Sequence, residues 1–383
     1  MKIGQFSDTF LPVVDGVGRV VSNYARELGE LGQDCYVITP RQKGAEKPPG
    51  YTVIDYPSLA MPGLTHYQVG IPALSMSYRR KIDAIDLDIV HAHSPFFAGR
   101  EALRAARRRS IPLVATFHSK YYDDLIQVTR SRRLAKLILK NLIDFYEDCD
   151  HVWAVSEGAA EVLQSYGYRG RIEVVKNGTD PVKEDPARIR LVTERYGLTD
   201  EAVLLFVGQM NWKKNIRRIL DSTEALIREG RKLKLILAGQ GPSSQEIRDL
   251  TVALGIDPSV ILTGHITEPE ILQGLYARAD LFLFPSLYDT AGLVVSEAAA
   301  LGTPSLLAAG SDAAREVLDG VNALVAENTT EAMARRMAWA LDHPAELAKI
   351  GETARRTIPR AWKDIIQEVL ERYEQLNRDQ RTL

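Results

Sequence analysis

Leu281-Phe282-Leu283-Phe284-Pro285-Ser286-Leu287-Tyr288-Asp289-Thr290-Ala291-Gly292-Leu293-Val294-Val295-Ser296-Glu297-Ala298 reads as a buried strand, a loop and the start of a helix. An unbroken apolar run closed by a proline fits a strand covered on both faces, as in a parallel sheet. Asp289 and Glu297 stand eight positions apart. The loop brings the first carboxylate to the strand exit, and the second falls on the first turns of the helix that follows. A carboxylate accepts two hydroxyls at once, so either acid can hold a sugar or a ribose. The N–H groups of Gly292 and Leu293, at the helix start, can receive a phosphate. The plainer alternative is one acid that caps a helix and one on the surface.

The same rhythm extends in both directions. Apolar runs at 2–6, 34–38, 89–92, 113–117, 151–155 and 172–175 alternate with helical patterns such as 17–31 and 134–149. A second set of runs lies at 203–207, 233–238, 260–262, 281–284, 304–308 and 323–325, separated by helical patterns at 216–229, 245–254, 268–279 and 294–301. Strands recurring between helices of this length predict parallel sheets with helices on both faces. The turn-forming Asn177-Gly178-Thr179-Asp180-Pro181 joins the two sets. The expected domains are 1–180 and 181–360, followed by an amphipathic stretch at 360–375. A chain of 383 residues exceeds what one core usually serves. The fold class is α/β, with two Rossmann-like doubly wound domains facing across a cleft. Ligands in such sheets bind beyond the carboxyl ends of the strands, and the cleft is the expected active site.

Bulk properties exclude several functions. The formal net charge of −2 argues against a nucleic-acid partner. Cys35 and Cys149 form no metal-ligand spacing and are expected to be reduced, packed thiols. No metal and no cofactor are expected. The opening Met1-Lys2-Ile3-Gly4-Gln5-Phe6 turns polar too soon for a secretory leader, and no apolar run is long enough for a membrane span. The expected location is cytoplasmic.

Other residues carry chemistry. Phe6-Ser7-Asp8-Thr9-Phe10-Leu11-Pro12 leads through Val13-Val14 to Asp15-Gly16-Val17-Gly18-Arg19, where a glycine at a strand-to-helix turn lets backbone N–H groups approach a phosphate. A simple tight turn is the alternative. His118 follows the run 113–117, at a strand end where it can bond a substrate hydroxyl or sit packed and satisfied. His91 and His93 alternate on one strand, so one is expected to face the core, while His93 is a candidate to line the cleft. In Gly208-Gln209-Met210-Asn211-Trp212-Lys213-Lys214-Asn215, a lysine at a helix start suits a diphosphate; a solvated lysine pair is the alternative.

Together these residues resemble the family-four retaining glycosyltransferases of the GT-B fold over nearly the full length, in particular the diacylglycerol and phosphoinositol glycosyltransferase branches. The diagnostic piece is an acid separated from a Glu by seven residues, within Pro-Ser-x-x-acid-x-x-Gly-Leu. Here it runs from Asp289 to Glu297, with Gly302-Thr303-Pro304 beyond. The resemblance implies a hexosyltransferase using a nucleotide-diphosphate sugar such as a UDP-sugar, and a sugar or lipid acceptor. It implies that Glu297 holds the ribose and that Asp289 meets the donor sugar. Gly16, Lys214 and the Gly292 and Leu293 amides would cradle the diphosphate, His118 would bond the transferred sugar, and the loop Thr263-Gly264-His265-Ile266 would meet the base. The terminal stretch 361–383 would return to the first domain. Two departures stand out. Asp289 replaces the family's Glu, and Gln209 replaces the diphosphate arginine, supplying a hydrogen bond without a charge. An epimerase of the same fold, or a non-catalytic partner of a transferase, are the alternatives.

Residues 100–143 hold eleven Lys and Arg against three acids. Arg133, Lys136 and Lys140 share one helical face, beside Leu134, Leu137, Ile138 and Leu142. Such an element suits an anionic membrane surface and hence a membrane glycolipid as acceptor. A packed helix with a solvated basic edge, or a soluble anionic acceptor, are the alternatives.

Overall fold

The computed structural model describes residues 1–11, 15–42, 50–61 and 64–381, so Pro12, Val13 and Val14 lie outside the described residues. The chain divides into two compact units, Met1–Gly178 with Trp362–Leu383, and Thr179–Ala361.

The first unit contains β1 (Lys2–Phe6), β2 (Asp34–Pro40), β3 (Thr52–Tyr56), β4 (Ser58–Met61), β5 (Leu64–Gly70), β6 (Ile89–Ala92), β7 (Leu113–Phe117), β8 (His151–Ala154) and β9 (Ile172–Val174). Seven form one parallel sheet in the order β3-β2-β1-β6-β7-β8-β9, while β4 and β5 pair as an antiparallel hairpin. The order reverses between β1 and β6, which opens a crevice at their carboxyl ends. The sequence patterns assign nothing between 39 and 88. The structure adds β3, the hairpin and the helix Met76–Asp83 there. β3 is a short edge strand with two exposed residues, so its apolar signal is weak.

Local chemistry sets the helices. Asp15 caps Gly16–Glu30 by accepting the Gly18 N–H at 2.6 Å. That helix buries Val20, Val21, Tyr24, Ala25 and Leu28, a three-to-four spacing. The terminal helix Trp362–Arg381 buries Trp362, Ile365, Ile366, Val369, Leu370 and Tyr373 on one stripe and packs on Gly16–Glu30. Its Trp362 ring meets Tyr24 edge-on at 6.1 Å.

The basic helix Arg132–Glu147 starts at Ser131, which accepts the Leu134 N–H at 3.3 Å. Its core side is Ala135, Leu142, Ile143, Phe145 and Tyr146. The four apolar residues expected on one face therefore part company. Leu142 is buried, while Leu134 and Leu137 are 46% and 59% exposed beside the exposed Arg133, Lys136 and Lys140. Cys35 is buried, Cys149 half-buried, and both are free thiols.

The second unit contains β10 (Ala202–Val207), β11 (Leu233–Ala238), β12 (Val260–Gly264), β13 (Leu281–Phe284), β14 (Ser305–Ala308) and β15 (Leu324–Ala326), all parallel in the order β12-β11-β10-β13-β14-β15. Its core is built from the apolar runs, with Leu204, Leu205, Phe206, Leu235, Leu237, Phe282 and Leu306 fully enclosed. The order reverses between β10 and β13, the second such crevice.

Candidate active site

In the second unit the loops leaving β10 and β13 meet. β10 runs through Gly208 and the exposed Gln209 into the short 3₁₀ turn Trp212–Lys214. Asn211 caps that turn by accepting the Lys213 N–H at 3.1 Å. Asn215 then takes a left-handed conformation at φ 61° and starts the helix Ile216–Arg228. Its side chain donates to the Pro285 carbonyl at 3.1 Å and to Asn328 at 2.8 Å, tying one loop to the other. Lys214 thus sits in the turn ahead of the helix, not in the helix's own first turn.

This places the Lys214 ammonium in an ion pair with Asp289 Oδ1, the lysine 17% and the acid 24% exposed. The Nζ atoms of Lys213 and Lys214 lie 5.2 Å and 5.6 Å from the Tyr288 ring centre. Ser286 Oγ accepts the N–H groups of Tyr288 at 3.3 Å and Asp289 at 3.4 Å, which orders the loop. Asp289 Oδ2 is buried and has no hydrogen-bond partner among the described residues. A buried carboxylate oxygen left in that state is ready for a ligand hydroxyl.

Gly292 turns the chain at φ 52° into the helix Leu293–Ala300. An added Cβ would lie 3.3 Å from the Ala313 methyl, in a backbone region side chains avoid. The first N–H groups of a helix have no intrahelical acceptor, so the Gly292–Leu293 end is a ready anion site. One turn on, Glu297 accepts a hydrogen bond from the Tyr276 hydroxyl at 2.9 Å. Tyr276 is 1% exposed on the helix Pro269–Arg278, so it holds the carboxylate in place.

Sequence reasoning missed Asn215, Tyr276 and the glycines after β11. Gly239, at φ 139°, lies so close to Gly208 that an added Cβ would be 2.0 Å from its carbonyl oxygen. Gly239 also donates to the Gly264 carbonyl at 2.9 Å, joining the Thr263-Gly264-His265-Ile266 loop to this end of the sheet. The Gly239-Gln240-Gly241 triplet was the available signal; Tyr276 had none, because its bond spans two helices.

In the first unit Gly16 begins the capped helix, is exposed, and would meet nothing within 4 Å if it carried a Cβ. His118 follows β7 and is 7% exposed. Its Nε2 lies 3.1 Å from His93 Nδ1, and the rings stack at 5.3 Å. Burial pushes its pKa down to about 3 and those of His91 and His93 well below the usual histidine range. All three rings are neutral near pH 7. The expectation that only one of His91 and His93 faces the core is corrected: both are 0% exposed, because β6 is covered on both faces. His93 therefore supports His118 and lines no open surface.

Asp8, quoted in the sequence but given no role, ends β1 at the other crevice. Its Oδ1 accepts the Ala98 N–H at 3.0 Å, at the start of the helix Phe97–Arg109, and burial pushes its pKa up to about 7. Among the described residues no group of three His, Cys, Asp or Glu is arranged to hold a metal ion.

Comparison with known proteins gives a consistent set. The profile "Glycosyltransferase Family 4" matches residues 14–183, and "Glycosyl transferases group 1" matches residues 193–357. The chain is 28% identical over 311 residues to an α-monoglucosyldiacylglycerol synthase of Streptococcus pneumoniae, covering 79% of this chain and 70% of that one. It is 23% identical over 385 residues to a GDP-mannose-dependent α-mannosyltransferase of Corynebacterium glutamicum, covering 97% and 88%. Among solved structures it resembles the Anabaena protein HepE in complex with UDP and glucose, with a TM-score of 0.79, 17% identity and coverage of 98% and 99%.

Proposed function

Since the chain belongs to the family-four glycosyltransferases of the GT-B fold, we propose that it moves a hexose from a nucleotide-diphosphate sugar to a lipid acceptor with retention at the anomeric carbon. The observation that carries this reading is the meeting of Lys214 and Asp289 at the strand-order reversal of the second unit. A cation paired with an acid can turn to a diphosphate and leave the acid for sugar hydroxyls. The amides of Gly292 and Leu293 then receive the phosphates through the helix dipole. Glu297, held by Tyr276, takes the ribose hydroxyls. Gln209 gives the diphosphate a neutral donor where the family has an arginine.

The donor's leaving oxygen departs with the bonding pair as nucleoside diphosphate. The acceptor oxygen bonds the anomeric carbon on the same face, and its proton passes to the departing diphosphate. No side chain forms a covalent intermediate in this scheme; the protein orients the reactants and stabilises charge. For the first unit we assign His118 to a hydroxyl of the transferred sugar and Gly16 to a phosphate, as the family resemblance implies.

The lipid acceptor rests on Leu134 and Leu137, which stand exposed among Arg133, Lys136 and Lys140. Apolar side chains ringed by basic ones suit an anionic bilayer surface. The diacylglycerol-directed relative has a name that agrees with it. No helix among the described residues is long and apolar enough to cross a membrane.

A thermal-shift panel of UDP-, GDP- and ADP-sugars tests the donor. The true donor raises the melting temperature with the logarithm of its affinity, and no shift with any of them sinks the reading. Co-sedimentation with neutral and anionic liposomes tests the acceptor side: equal binding to both rules out the anionic surface.

A further inference from the structure

Asp8 and Tyr56 bring two buried polar atoms to one end of the first sheet. Asp8 follows β1, where the strand order reverses toward β6, and Tyr56 closes β3. Asp8 is fixed from two sides. Its N–H donates to Ser94 Oγ at 2.9 Å, and its Oδ1 accepts the Ala98 N–H at 3.0 Å. Asp8 Oδ2 is buried and has no hydrogen-bond partner among the described residues, and the same is true of the Tyr56 hydroxyl. The Tyr56 ring is 0% exposed, meets Tyr78 edge-on at 5.2 Å and lies against Gly70, which leaves no room there for a side chain. Burial raises the Tyr56 and Tyr121 phenols above their usual range, and the charge of an ionised Asp8 raises both further. The three groups therefore share one electrostatic neighbourhood, and the Phe96 ring meets Tyr121 edge-on at 5.5 Å.

A buried polar atom left in this state costs free energy until a partner meets it. Two features say which partner fits. Oδ1 already takes an N–H of the helix Phe97–Arg109, so that helix end is neutralised and does not call for an anion. Burial still pushes the Asp8 carboxyl up to about 7, against the lowering by the N–H groups of Ala98, Phe97 and Phe96. A phosphate beside it would add a second negative charge to a place that resists the first. A hydroxyl that donates to Oδ2 relieves the carboxylate, and the Tyr56 hydroxyl can donate to or accept from another. In the scheme above the proton of the reacting hydroxyl goes to the departing diphosphate, so the hydroxyl held by Asp8 is a neighbour of the reacting one.

We propose that Asp8 and Tyr56 form a subsite for the acceptor's headgroup, which takes an uncharged polyol, a glycerol or a sugar with more than one hydroxyl, and rejects a phosphomonoester. Oδ2 holds one hydroxyl and so orients the head for reaction at the next. The subsite rests on the reading of the chain as a transferase to a lipid acceptor and adds the chemistry of the lipid's head. The plainer role of Asp8, a cap for the helix Phe97–Arg109, uses Oδ1 alone and leaves Oδ2 and the Tyr56 hydroxyl without work.

Titration calorimetry without donor, using monooctanoylglycerol, octyl β-glucoside and octanoylglycerol 3-phosphate, tests this. The unmodified protein should bind the polyol lipids, the tighter of them naming the head as glycerol or sugar, and should bind the phosphate at least about tenfold more weakly. Asp8→Asn keeps an acceptor for the Ala98 N–H and puts an amide donor in the place of Oδ2. It should weaken both polyol lipids by roughly tenfold to a hundredfold and leave the phosphate no weaker. Tyr56→Phe removes a hydroxyl that bonds no described residue. Its melting temperature should not fall, while polyol binding should weaken by about threefold to tenfold. Polyol binding unchanged in either variant overturns the proposal. So does an Asp8→Asn variant that loses all three lipids alike, as a merely structural role would have it, or an unmodified protein that binds neither polyol or binds the phosphate as tightly. The thermal shifts with UDP-glucose and GDP-mannose should be the same in both variants as in the unmodified protein. Failure of every donor to shift the unmodified protein sinks the transferase reading, while the calorimetry still decides the subsite.

Discussion

At the residue scale, the proposed donor site is tested at three side chains of the second unit. Lys214→Ala removes the only cation paired with Asp289 among the described residues and leaves that partly buried acid uncompensated. Glu297→Ala removes the carboxylate held by Tyr276. Each variant should lose the donor-induced thermal shift at a donor concentration that saturates the unmodified protein, which corresponds to at least a roughly hundredfold weaker Kd, or about 2.7 kcal/mol. Gln209→Arg should act in the opposite direction. Gln209 is exposed, so a longer cation can be placed there without strain, and a charge-assisted bond to the diphosphate should tighten donor binding by about tenfold, or about 1.4 kcal/mol. Isothermal titration with the selected donor checks all three; weaker binding by Gln209→Arg would mean that the site does not hold its diphosphate at the end of β10.

Two elements store opposite pH dependences. The buried histidines at the ends of β6 and β7 have lowered pKa values, His118 near 3, so the unfolded chain binds more protons than the native one between about pH 3 and 6.5. Their contribution to stability is present above that window and is lost as pH falls through it. Asp8, at the end of β1, has a raised pKa of about 7, so the native state binds the extra proton between about pH 4 and 7 and stability falls as pH rises there. Burial also raises the Asp15 carboxyl, so three histidines oppose two acids, and net stability should rise from pH 4.5 to 6.5. Asp8→Asn removes the larger opposing part, and the rise in melting temperature across that interval should become steeper; a flatter rise would contradict the burial of Asp8 as the cause. At the helix Leu293–Ala300, Gly292→Ala forces a side chain into φ 52° and against Ala313. It should cost about 1–2 kcal/mol of stability in chemical denaturation and weaken the donor-induced shift, since the amides of that turn move with it.

At the scale of the whole molecule, the terminal helix returns to the unit that opens the chain. Trp362, Ile365, Ile366, Val369, Leu370 and Tyr373 are all at most 6% exposed. At roughly 1.5–3 kcal/mol for each large apolar side chain buried, the stripe carries about as much free energy as a whole domain has to spare. A chain ended at Ala361 should fail to fold its first unit, with Tyr24, Trp153 and His91 uncovered. Limited proteolysis of the truncated chain checks this: rapid loss of residues 1–178 beside a resistant 179–361 is expected, and a resistant first unit would mean that the helix is dispensable.

The sequence by itself determined the two parallel sheets, because an apolar run covered on both faces followed by an amphipathic helix is a local, one-dimensional signal. It also marked Asp289, Glu297, Gly292 and Lys214, since residues at the ends of such strands are placed by the strand. It left out β3 and the hairpin, whose half-exposed edges carry little pattern, and it gave His93 to an open surface that burial of β6 denies it. Only the tertiary structure decided that Lys214 meets Asp289, that Tyr276 holds Glu297, and that Tyr373 reaches Gln5 across more than three hundred residues of chain. Those are bonds between side chains on separate elements, and their partners are chosen by packing in three dimensions, where neighbours in space leave no spacing in the sequence to read.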